Sequence, residues 1–313
     1  MKKTINNLLI VFVSLIILLT SIHYLEFILR PTDTDGCISA IKAFHELPTT
    51  SIDVIGYGSS LMWKSLNTKY IYDKYKINAY NYGNNWQNIN TTLLFIEDSL
   101  RSQSPKLVII ETSRMNKLLI DLDVNGQVYY TKEIKNFDVK KEYLKQVFNK
   151  DQKKYIAYYF PIYNLHENWK NINKDSFIMN DKKQKYIDNR GYNSGNSIYT
   201  VKLDDYHQYD QIELSNDVIS VLDKIMDLSI KNNFKVLFFK TPNSEEYNYS
   251  NALAEYAKEH NAYYIDFLTI INEIGIDGNL DFRDSNHLND NGANKVSDYI
   301  AKFILDNKII DNK

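Results

Sequence analysis

A serine near the start of the chain and an aspartate–histidine pair near its end have the side chains that acyl chemistry requires. Ser60 stands in the run Gly58-Ser59-Ser60-Leu61, and Asp284 precedes His287 by three residues. A serine hydroxyl is a weak nucleophile until a histidine takes its proton, and that histidine needs a carboxylate to fix its tautomer. Asp284 and His287 can meet within one turn. The three residues therefore predict a nucleophile, a general base and an orienting carboxylate.

Each signal alone also fits a purely structural role. Gly and Ser are common turn residues, and Asp284 is equally suited to cap a turn beside a surface histidine. The run is not a G-x-S-x-G nucleophile elbow because Met62 occupies the last position. Nor is it a dinucleotide fingerprint, because Leu61 replaces the last glycine of that pattern. The local sequence therefore leaves both interpretations open.

The elements around these residues alternate between strands and helices. The predicted strands are Ile52–Tyr57, Ile77–Tyr82, Leu107–Ile110, Phe234–Phe239 and Ala262–Ile265, and the predicted helices include Cys37–Leu47, Asn67–Tyr75, Asn90–Gln103, Asn216–Asn232, Glu245–His260 and Asn291–Leu305. This alternation implies a parallel sheet covered on both faces. We therefore expect a three-layer α/β/α sandwich with a five-stranded parallel sheet, with Ser60 at the carboxyl end of its first strand, where α/β proteins bind ligands.

The pattern changes between Met115 and Gln211, where Lys, Asn and Tyr dominate. Helical periodicity recurs around Lys141–Val147 and Tyr155–Trp169. We interpret this region, about residues 115–211, as a helical insertion in the α/β domain and not as a second core.

The N-terminus has the features of a membrane segment. Leu8 to Tyr24 contains no charged residue, with Lys2 and Lys3 before it and Arg30 after it. About 20 apolar residues span a bilayer core, and lysines on the near side favour an N-in orientation. We expect residues 1–31 to be a transmembrane anchor and residues 32–313 to be one extracellular domain. A cleaved signal peptide is the alternative, although no A-x-A-like site follows.

Composition excludes several classes of protein. The 313 residues include 37 basic and 39 acidic ones, so the net charge of -2 argues against a nucleic-acid partner. The single cysteine, Cys37, excludes an intrachain disulfide and a cysteine-built zinc site. No two of the six histidines have i, i+4 spacing, and we expect neither a metal nor a cofactor. The 25 tyrosines fit either an AT-rich genome or a sugar-stacking surface. Tyr158, Tyr159, Tyr163 and Tyr192 of the insertion favour sugar stacking if they line the cleft and the AT-rich genome if they face solvent.

Taken together, the two motifs resemble the SGNH (GDSL-type) hydrolase superfamily, from about Ile52 to Ile304. The resemblance implies Ser60 as nucleophile, His287 as general base and Asp284 as its orienting carboxylate. It also implies an oxyanion hole built from the backbone N–H groups of Ser60 and Gly83. Loss of one such donor typically costs on the order of 10²–10³ in rate.

At the third motif, this chain departs from the pattern of the superfamily. The superfamily usually has Gly-x-Asn-Asp after the third strand, with the asparagine as an oxyanion donor, whereas this chain reads Glu111-Thr112-Ser113-Arg114. Three alternatives remain for the missing donor. The asparagine is replaced by Asn84 or Asn85, or it is replaced by Ser113 or Arg114, or the oxyanion hole has only two donors.

A narrower resemblance is to membrane-anchored SGNH proteins of Gram-positive bacteria, such as the D-alanine transfer protein of teichoic-acid modification, and to the alginate O-acetylation proteins. It rests on Gly-Ser-Ser, on Asn81 to Gln87, on Phe160-Pro161 with His166 and Trp169, and on Gly191-Tyr192. It implies a multipass membrane-bound O-acyltransferase as partner and assigns His166, Trp86 and Arg114 to substrate binding. Core packing is the alternative for Trp63, Trp86 and Trp169, and a structural role for His166.

The sequence thus favours an extracytoplasmic serine O-acyltransferase or esterase that acts on acyl groups of a cell-surface polysaccharide. Its activity is expected to rise with pH through about 6.5, the ordinary pKa of histidine. The alternatives are a non-catalytic SGNH-fold subunit of a membrane acyltransferase system and an esterase for small or lipid substrates.

Overall fold

The chain forms two compact units. The computed structural model describes residues 2–30, 32–33, 35–115, 131–148, 151–178, 182–203, 211–243 and 249–310. One unit contains residues 1–35 and 144–181, and the larger one contains residues 36–143 and 182–313. Residues of the helical insertion therefore belong to both units.

The larger unit contains a five-stranded sheet. Its strands are β1 (Val54–Tyr57), β2 (Ala79–Asn81), β3 (Leu107–Glu111), β4 (Lys235–Lys240) and β5 (Tyr263–Asp266). They lie in the order β2-β1-β3-β4-β5, and every neighbouring pair is parallel. Val54 lies opposite Ala79 on one side and Leu107 on the other. The predicted α/β fold with five parallel strands is confirmed.

Helices cover both faces of this sheet. Among the described residues the α-helices are α1 (Lys2–Leu29), α2 (Cys37–His45), α3 (Ser60–Ser65), α4 (Thr68–Tyr75), α5 (Ile89–Ser99), α6 (Phe137–Val147), α7 (Gln152–Tyr159), α8 (Ile162–Leu165), α9 (Lys183–Asp188), α10 (Asn216–Asn232), α11 (Ser250–Glu259) and α12 (Asp290–Asp306). Helix α12 packs on α3 and α4, and α10 packs on α5. Three layers result, as expected.

Alternation along the strands explains the two cores. Successive strand residues point to opposite faces of a sheet. Leu107 and Ile109 of β3 join a core with Val296 and Ile300 of α12. Val108, from the opposite face, is also fully buried. The strands are therefore apolar throughout because both faces are covered.

The predicted elements differ from the observed ones mainly at their ends. Strands β1 and β2 begin two residues later than predicted, and α11 begins at Ser250, with residues 244–248 of the predicted helix outside the described part. The predicted helical stretch Tyr155–Trp169 is interrupted at Phe160 and Pro161, after which α8 and a 3₁₀ helix (His166–Asn171) follow. Pro161 lacks the N–H that a continuous helix needs.

The smaller unit combines α1 with residues of the insertion. Helix α1 contains an apolar stretch, Thr4–Leu29, whose most apolar part is not buried against the rest of the chain. Its length and composition suffice to cross a membrane, although a signal sequence shares both properties. A second 3₁₀ helix, Lys174–Phe177, lies in the same unit.

Candidate active site

A glycine in a conformation that other residues rarely adopt places Ser60 at the carboxyl edge of the sheet. Gly58, directly after β1, has a φ of 151°, and a Cβ there would lie 2.9 Å from the Cβ of Glu111. Only glycine accepts this conformation and this approach to β3 without strain. Ser59 then caps α3, because its hydroxyl accepts the backbone N–H of Leu61. Ser60 is consequently the first residue of the helix, with its side chain half-buried.

A short closed loop presents Asp284 and His287. An antiparallel bridge joins Phe282 to Leu288, and the backbone N–H of Arg283 donates to the carbonyl of His287 at 2.9 Å. Asn289 ends the loop and caps α12. The loop therefore has its two ends fixed before the closing helix starts.

The structure brings Ser60, His287 and Asp284 into one hydrogen-bonded chain. The Oγ atom of Ser60 lies 2.8 Å from Nε2 of His287. On the other side of the ring, Nδ1 lies 2.8 and 2.9 Å from the two carboxylate oxygens of Asp284. With Nδ1 protonated, the carboxylate leaves Nε2 free to accept the serine proton, as a general base must.

The surroundings set both pKa values below their ordinary ranges. Partial burial favours the neutral form of Asp284, but hydrogen bonds from the His287 ring and from the backbone of Asn286 and His287 outweigh it and lower the pKa of Asp284. Burial lowers the pKa of His287, and the positive charges of Lys64 and Arg283 add to it against the opposing effect of Asp284. His287 is therefore neutral near pH 7, as a general base requires.

The two predicted backbone oxyanion donors differ in whether their N–H groups already donate a hydrogen bond. Within the described part of the chain, the N–H of Ser60 donates no hydrogen bond, as expected for the first residue of a helix. The N–H of Gly83 donates to Oδ1 of Asn81 at 3.0 Å. Asn81 is itself held by the carbonyl groups of Met62 and Leu66. Of these two donors, Ser60 is therefore the one whose N–H is unengaged among the described contacts.

Asn84, a predicted substitute donor, is occupied elsewhere. It is buried, its amide group donates to the carbonyl of Cys37 at 3.2 Å, and its Oδ1 accepts the N–H of Asn85 at 2.8 Å.

Ser113, the other predicted substitute, belongs to a buried network at the end of β3. Its hydroxyl donates to Glu111 and accepts from the amide of Asn243 at 2.7 Å. Burial raises the pKa of Glu111 to about 7, against hydrogen bonds from Ser113 and the backbone of Thr241. Sequence reasoning missed Glu111 and Asn243 as members of this edge. The available signal was position: Glu111 ends β3, and Asn243 lies three residues after the end of β4, the next strand of the sheet.

Glu111→Gln is expected to flatten the pH dependence of stability. Because the folded pKa of about 7 exceeds the ordinary 4.5, the contribution of Glu111 is fully present below about pH 4.5 and is lost as the pH rises to 7. Linkage sets an upper limit of roughly 3 kcal/mol on that loss. Urea unfolding at pH 5 and pH 8 measures it, and an equal pH dependence in wild type and variant would contradict the assignment.

Trp86 and Arg114, both predicted to bind substrate, lie against each other. The guanidinium carbon of Arg114 is 5.0 Å from the centre of the Trp86 ring, in a cation–π arrangement. Trp86 is 55% exposed, so its ring is accessible. Trp63, by contrast, is fully buried, donates to the carbonyl of Gly191 at 2.9 Å and stacks on Tyr186. Core packing is thus the role of Trp63.

The remaining residues of the narrower resemblance are distributed over both units. His166 is exposed in the smaller unit, where its Nδ1 contacts the carbonyl of Tyr163, and Trp169 of that unit is also exposed. Gly191 has a φ of 86° and packs against the carbonyl of Asn81, where a Cβ would lie at 2.0 Å. Gly191 is therefore required by the backbone itself.

The four tyrosines considered for sugar stacking differ in burial. Tyr192 is buried, and its hydroxyl donates to Asp290 at 2.7 Å. Tyr158 is also buried, whereas Tyr159 and Tyr163 are exposed in the smaller unit. The rings of Tyr158 and Tyr192 are therefore not accessible for stacking on a sugar. Among the described residues, no cluster of three or more His, Cys, Asp or Glu side chains is arranged to hold a metal.

Comparisons with known proteins give weak structural similarity. No protein-family model and no curated protein matches the chain. One similar solved structure is described as a lipolytic protein of the G-D-S-L family from Desulfitobacterium hafniense, with 12% identity, a TM-score of 0.41, and coverage of 80% of this chain and 97% of that one. Another, described as an acylhydrolase from Bacteroides fragilis, has 12% identity, a TM-score of 0.43, and coverage of 90% and 100%. Similarity at this level transfers neither an activity nor a residue role.

Proposed function

We propose that this chain is a serine esterase or O-acyltransferase that forms an acyl-enzyme on Ser60. The observation that carries the proposal is the continuous hydrogen-bonded chain from Ser60 through His287 to Asp284. A turn cap and a surface histidine would not need this alignment, since Ser60 and His287 are 227 residues apart in the sequence.

The first half of the reaction uses groups that are already in place. Oγ of Ser60 attacks the acyl carbonyl carbon while Nε2 of His287 takes the hydroxyl proton, and Asp284 stabilises the imidazolium that forms. The carbonyl oxygen becomes an oxyanion and accepts the N–H of Ser60. The intermediate then collapses. The bond to the leaving alcohol breaks, and His287 returns its proton to that alcohol.

The second half repeats these steps with a new acceptor. His287 removes a proton from water or from a sugar hydroxyl, the acceptor oxygen attacks the acyl carbon, and Ser60 leaves as the alcohol. Water gives hydrolysis, and a sugar gives transfer. We further propose that the acyl group is acetyl or D-alanyl, that the acceptor is a polysaccharide outside the cytoplasm, and that α1 anchors the chain beside a multipass membrane acyltransferase. The apolar length of α1 supports the anchor.

A non-catalytic binding subunit is the second candidate. Its support is the engagement of Gly83, Asn84 and Ser113, three of the residues assigned to the oxyanion hole, in internal hydrogen bonds. With one N–H available, stabilisation of the oxyanion requires Gly83 to share or release its bond to Asn81. A subunit that only binds needs no such donor.

A covalent probe separates the two candidates. The full-length protein in detergent is incubated with a fluorophosphonate and, separately, with an activated acetyl ester, and peptide masses are measured. We expect an adduct on Ser60 with both reagents. Adding a soluble polysaccharide to the acetyl reaction then measures the ratio of acetylated sugar to free acetate. Lack of any adduct on Ser60 would favour the binding subunit.

The pH profile is expected to have one limb, with its midpoint below pH 6.5. The lowered pKa of His287 means that the base form is present at a lower pH than in a free histidine. The initial rate of ester hydrolysis should therefore rise below pH 6.5 and be level by pH 8. Lys64→Gln removes a positive charge that opposes protonation of His287, so its limb should move to higher pH. A rate that is flat from pH 4 to 8 would exclude His287 as the base.

A further inference from the structure

Outside α1, exposed apolar side chains are concentrated in residues 151–178 of the smaller unit. Eight large hydrophobic residues of this segment are exposed, including Phe160 (63%), Tyr163 (60%), Trp169 (63%) and Phe177 (54%). In the described part of the larger unit, such residues occur singly or in one adjacent pair, spread along the chain. Isolated exposed apolar residues are normal, whereas a concentration of them marks an interaction surface.

Three sets of hydrogen bonds fix this segment to the end of α1. The backbone N–H of Ile162 donates to the carboxylate of Glu26 at 3.1 Å. The amide of Asn168 donates to the carbonyl of Leu29 at 3.0 Å. The guanidinium of Arg30 donates to the carbonyl of Ile178 at 2.9 Å. Along the axis of α1, the segment therefore lies beside residues 26–30.

The length of α1 sets that level relative to a bilayer. The uncharged stretch from Leu8 to Tyr24 measures about 26 Å at 1.5 Å per residue, close to the ~30 Å of a hydrocarbon core. With this stretch in the core, Glu26 and Arg30 lie at the interface between the acyl chains and the headgroups. The segment bonded to them then lies at the same depth.

The composition of the segment suits that depth. Trp and Tyr are enriched at membrane interfaces, where the ring body is apolar and one edge is polar. Lysines among the aromatic residues, at positions 153, 154, 170 and 174, can extend towards phosphate groups. The ammonium of Lys170 lies 5.8 Å from the ring centre of Trp169, which places a cation beside the most exposed indole.

We propose that residues 151–178, together with the end of α1, form an interfacial segment that lies in the headgroup region of the bilayer that α1 crosses. The occupant of the apolar surface is thus lipid. This proposal requires α1 to be retained, and it is independent of the chemistry proposed for Ser60. It gives the smaller unit a second membrane contact besides the spanning helix.

Nitroxide labels test the proposal in the full-length chain. Cys37→Ala removes the single cysteine, and Tyr163→Cys, Trp169→Cys and Phe177→Cys each introduce one labelling position. The protein is reconstituted in vesicles of phosphatidylcholine and phosphatidylglycerol, and collision rates with oxygen and with a water-soluble nickel complex are measured. Ile230→Cys, at a 79% exposed position of α10, is the matched control.

The three labels in the interfacial segment are expected to show an oxygen-to-nickel collision ratio several-fold higher than the label at position 230. A nickel-chelating lipid should relax them more strongly than that control. Water-like ratios at all three positions in these vesicles, which contain no second protein, would overturn the proposal. Burial of the labels only after a second protein is added would overturn it as well, because the surface would then bind protein.

Tryptophan quenching gives a second readout without cysteine variants. In brominated-lipid vesicles, Trp86→Phe leaves Trp169 and the buried Trp63 as fluorophores, and Trp169→Phe leaves Trp63 and Trp86. We expect strong quenching in Trp86→Phe and weak quenching in Trp169→Phe. Quenching in Trp86→Phe that is no stronger than that expected for the buried Trp63 would contradict contact between Trp169 and lipid.

Discussion

Replacing Ser60 with alanine is expected to lower the turnover of an activated acetyl ester by a factor on the order of 10³–10⁶. The Oγ atom of Ser60, which lies 2.8 Å from Nε2 of His287, is the atom of the hydrogen-bonded chain that forms the acyl bond in the proposed reaction. Without this hydroxyl, His287 can activate only a water molecule, which is not fixed in place as the serine side chain is. Initial rates with the purified full-length protein, together with fluorophosphonate labelling, measure the loss.

The neighbouring serine provides the matched control. Ser59 is buried and caps α3 by accepting the N–H of Leu61, so Ser59→Ala should lose about 1 kcal/mol of stability. It should still be labelled, because its hydroxyl contacts no reacting group. Wild-type turnover in Ser60→Ala would show that Ser60 is not the nucleophile. Loss of labelling in Ser59→Ala alone would point to the other serine.

Local physics made much of the fold and the central site predictable. The runs Leu107–Ile110 and Phe234–Phe239 contain too few polar residues for a half-exposed strand, which indicated strands buried on both faces. Parallel strands bring their carboxyl ends to one edge, so the position of Ser60 followed from the end of β1. The contact between Asp284 and His287 needs only one turn of chain, and its geometry was accessible from spacing alone.

Other features depend on contacts between distant segments. The engagement of Gly83 results from the side chain of Asn81, which is in turn held by the carbonyl groups of Met62 and Leu66. Trp63 and Trp86 look alike in sequence, yet packing of Tyr186 buries the first and leaves the second exposed. A one-dimensional pattern contains no record of such neighbours.

The pKa of His287 and the assembly of the smaller unit also depend on contacts between distant segments. Lys64 and Arg283 act on His287 through space, and their charge is uninformative until the fold places them. The bonds between residues 26–30 and residues 162–178 join segments more than 130 residues apart. The sequence alone therefore could not show that the apolar residues of the insertion are attached to the end of α1.

Asp284→Asn is expected to lower the turnover number by about 10⁴ while leaving the fold intact. The carboxylate holds Nδ1 of His287 protonated through both of its oxygens. An asparagine can present its amide N–H to Nδ1, which selects the wrong tautomer and leaves Nε2 protonated. Its Oδ1 can still accept the backbone N–H groups of Asn286 and His287, as that atom does now. The melting temperature should therefore change little.

Asp277→Asn is the matched control for this substitution. Asp277 also accepts a backbone N–H two residues ahead, that of Asn279, but no bond of Asp277 to His287 occurs among the described contacts. Its variant should keep wild-type turnover. If Asp284→Asn instead retained more than a tenth of the activity, Asp284 would be a turn cap and His287 would act without an orienting carboxylate. A loss of activity at pH 8 with an unchanged melting temperature would separate catalysis from loop stability, because only the tautomer distinguishes the two roles of this side chain.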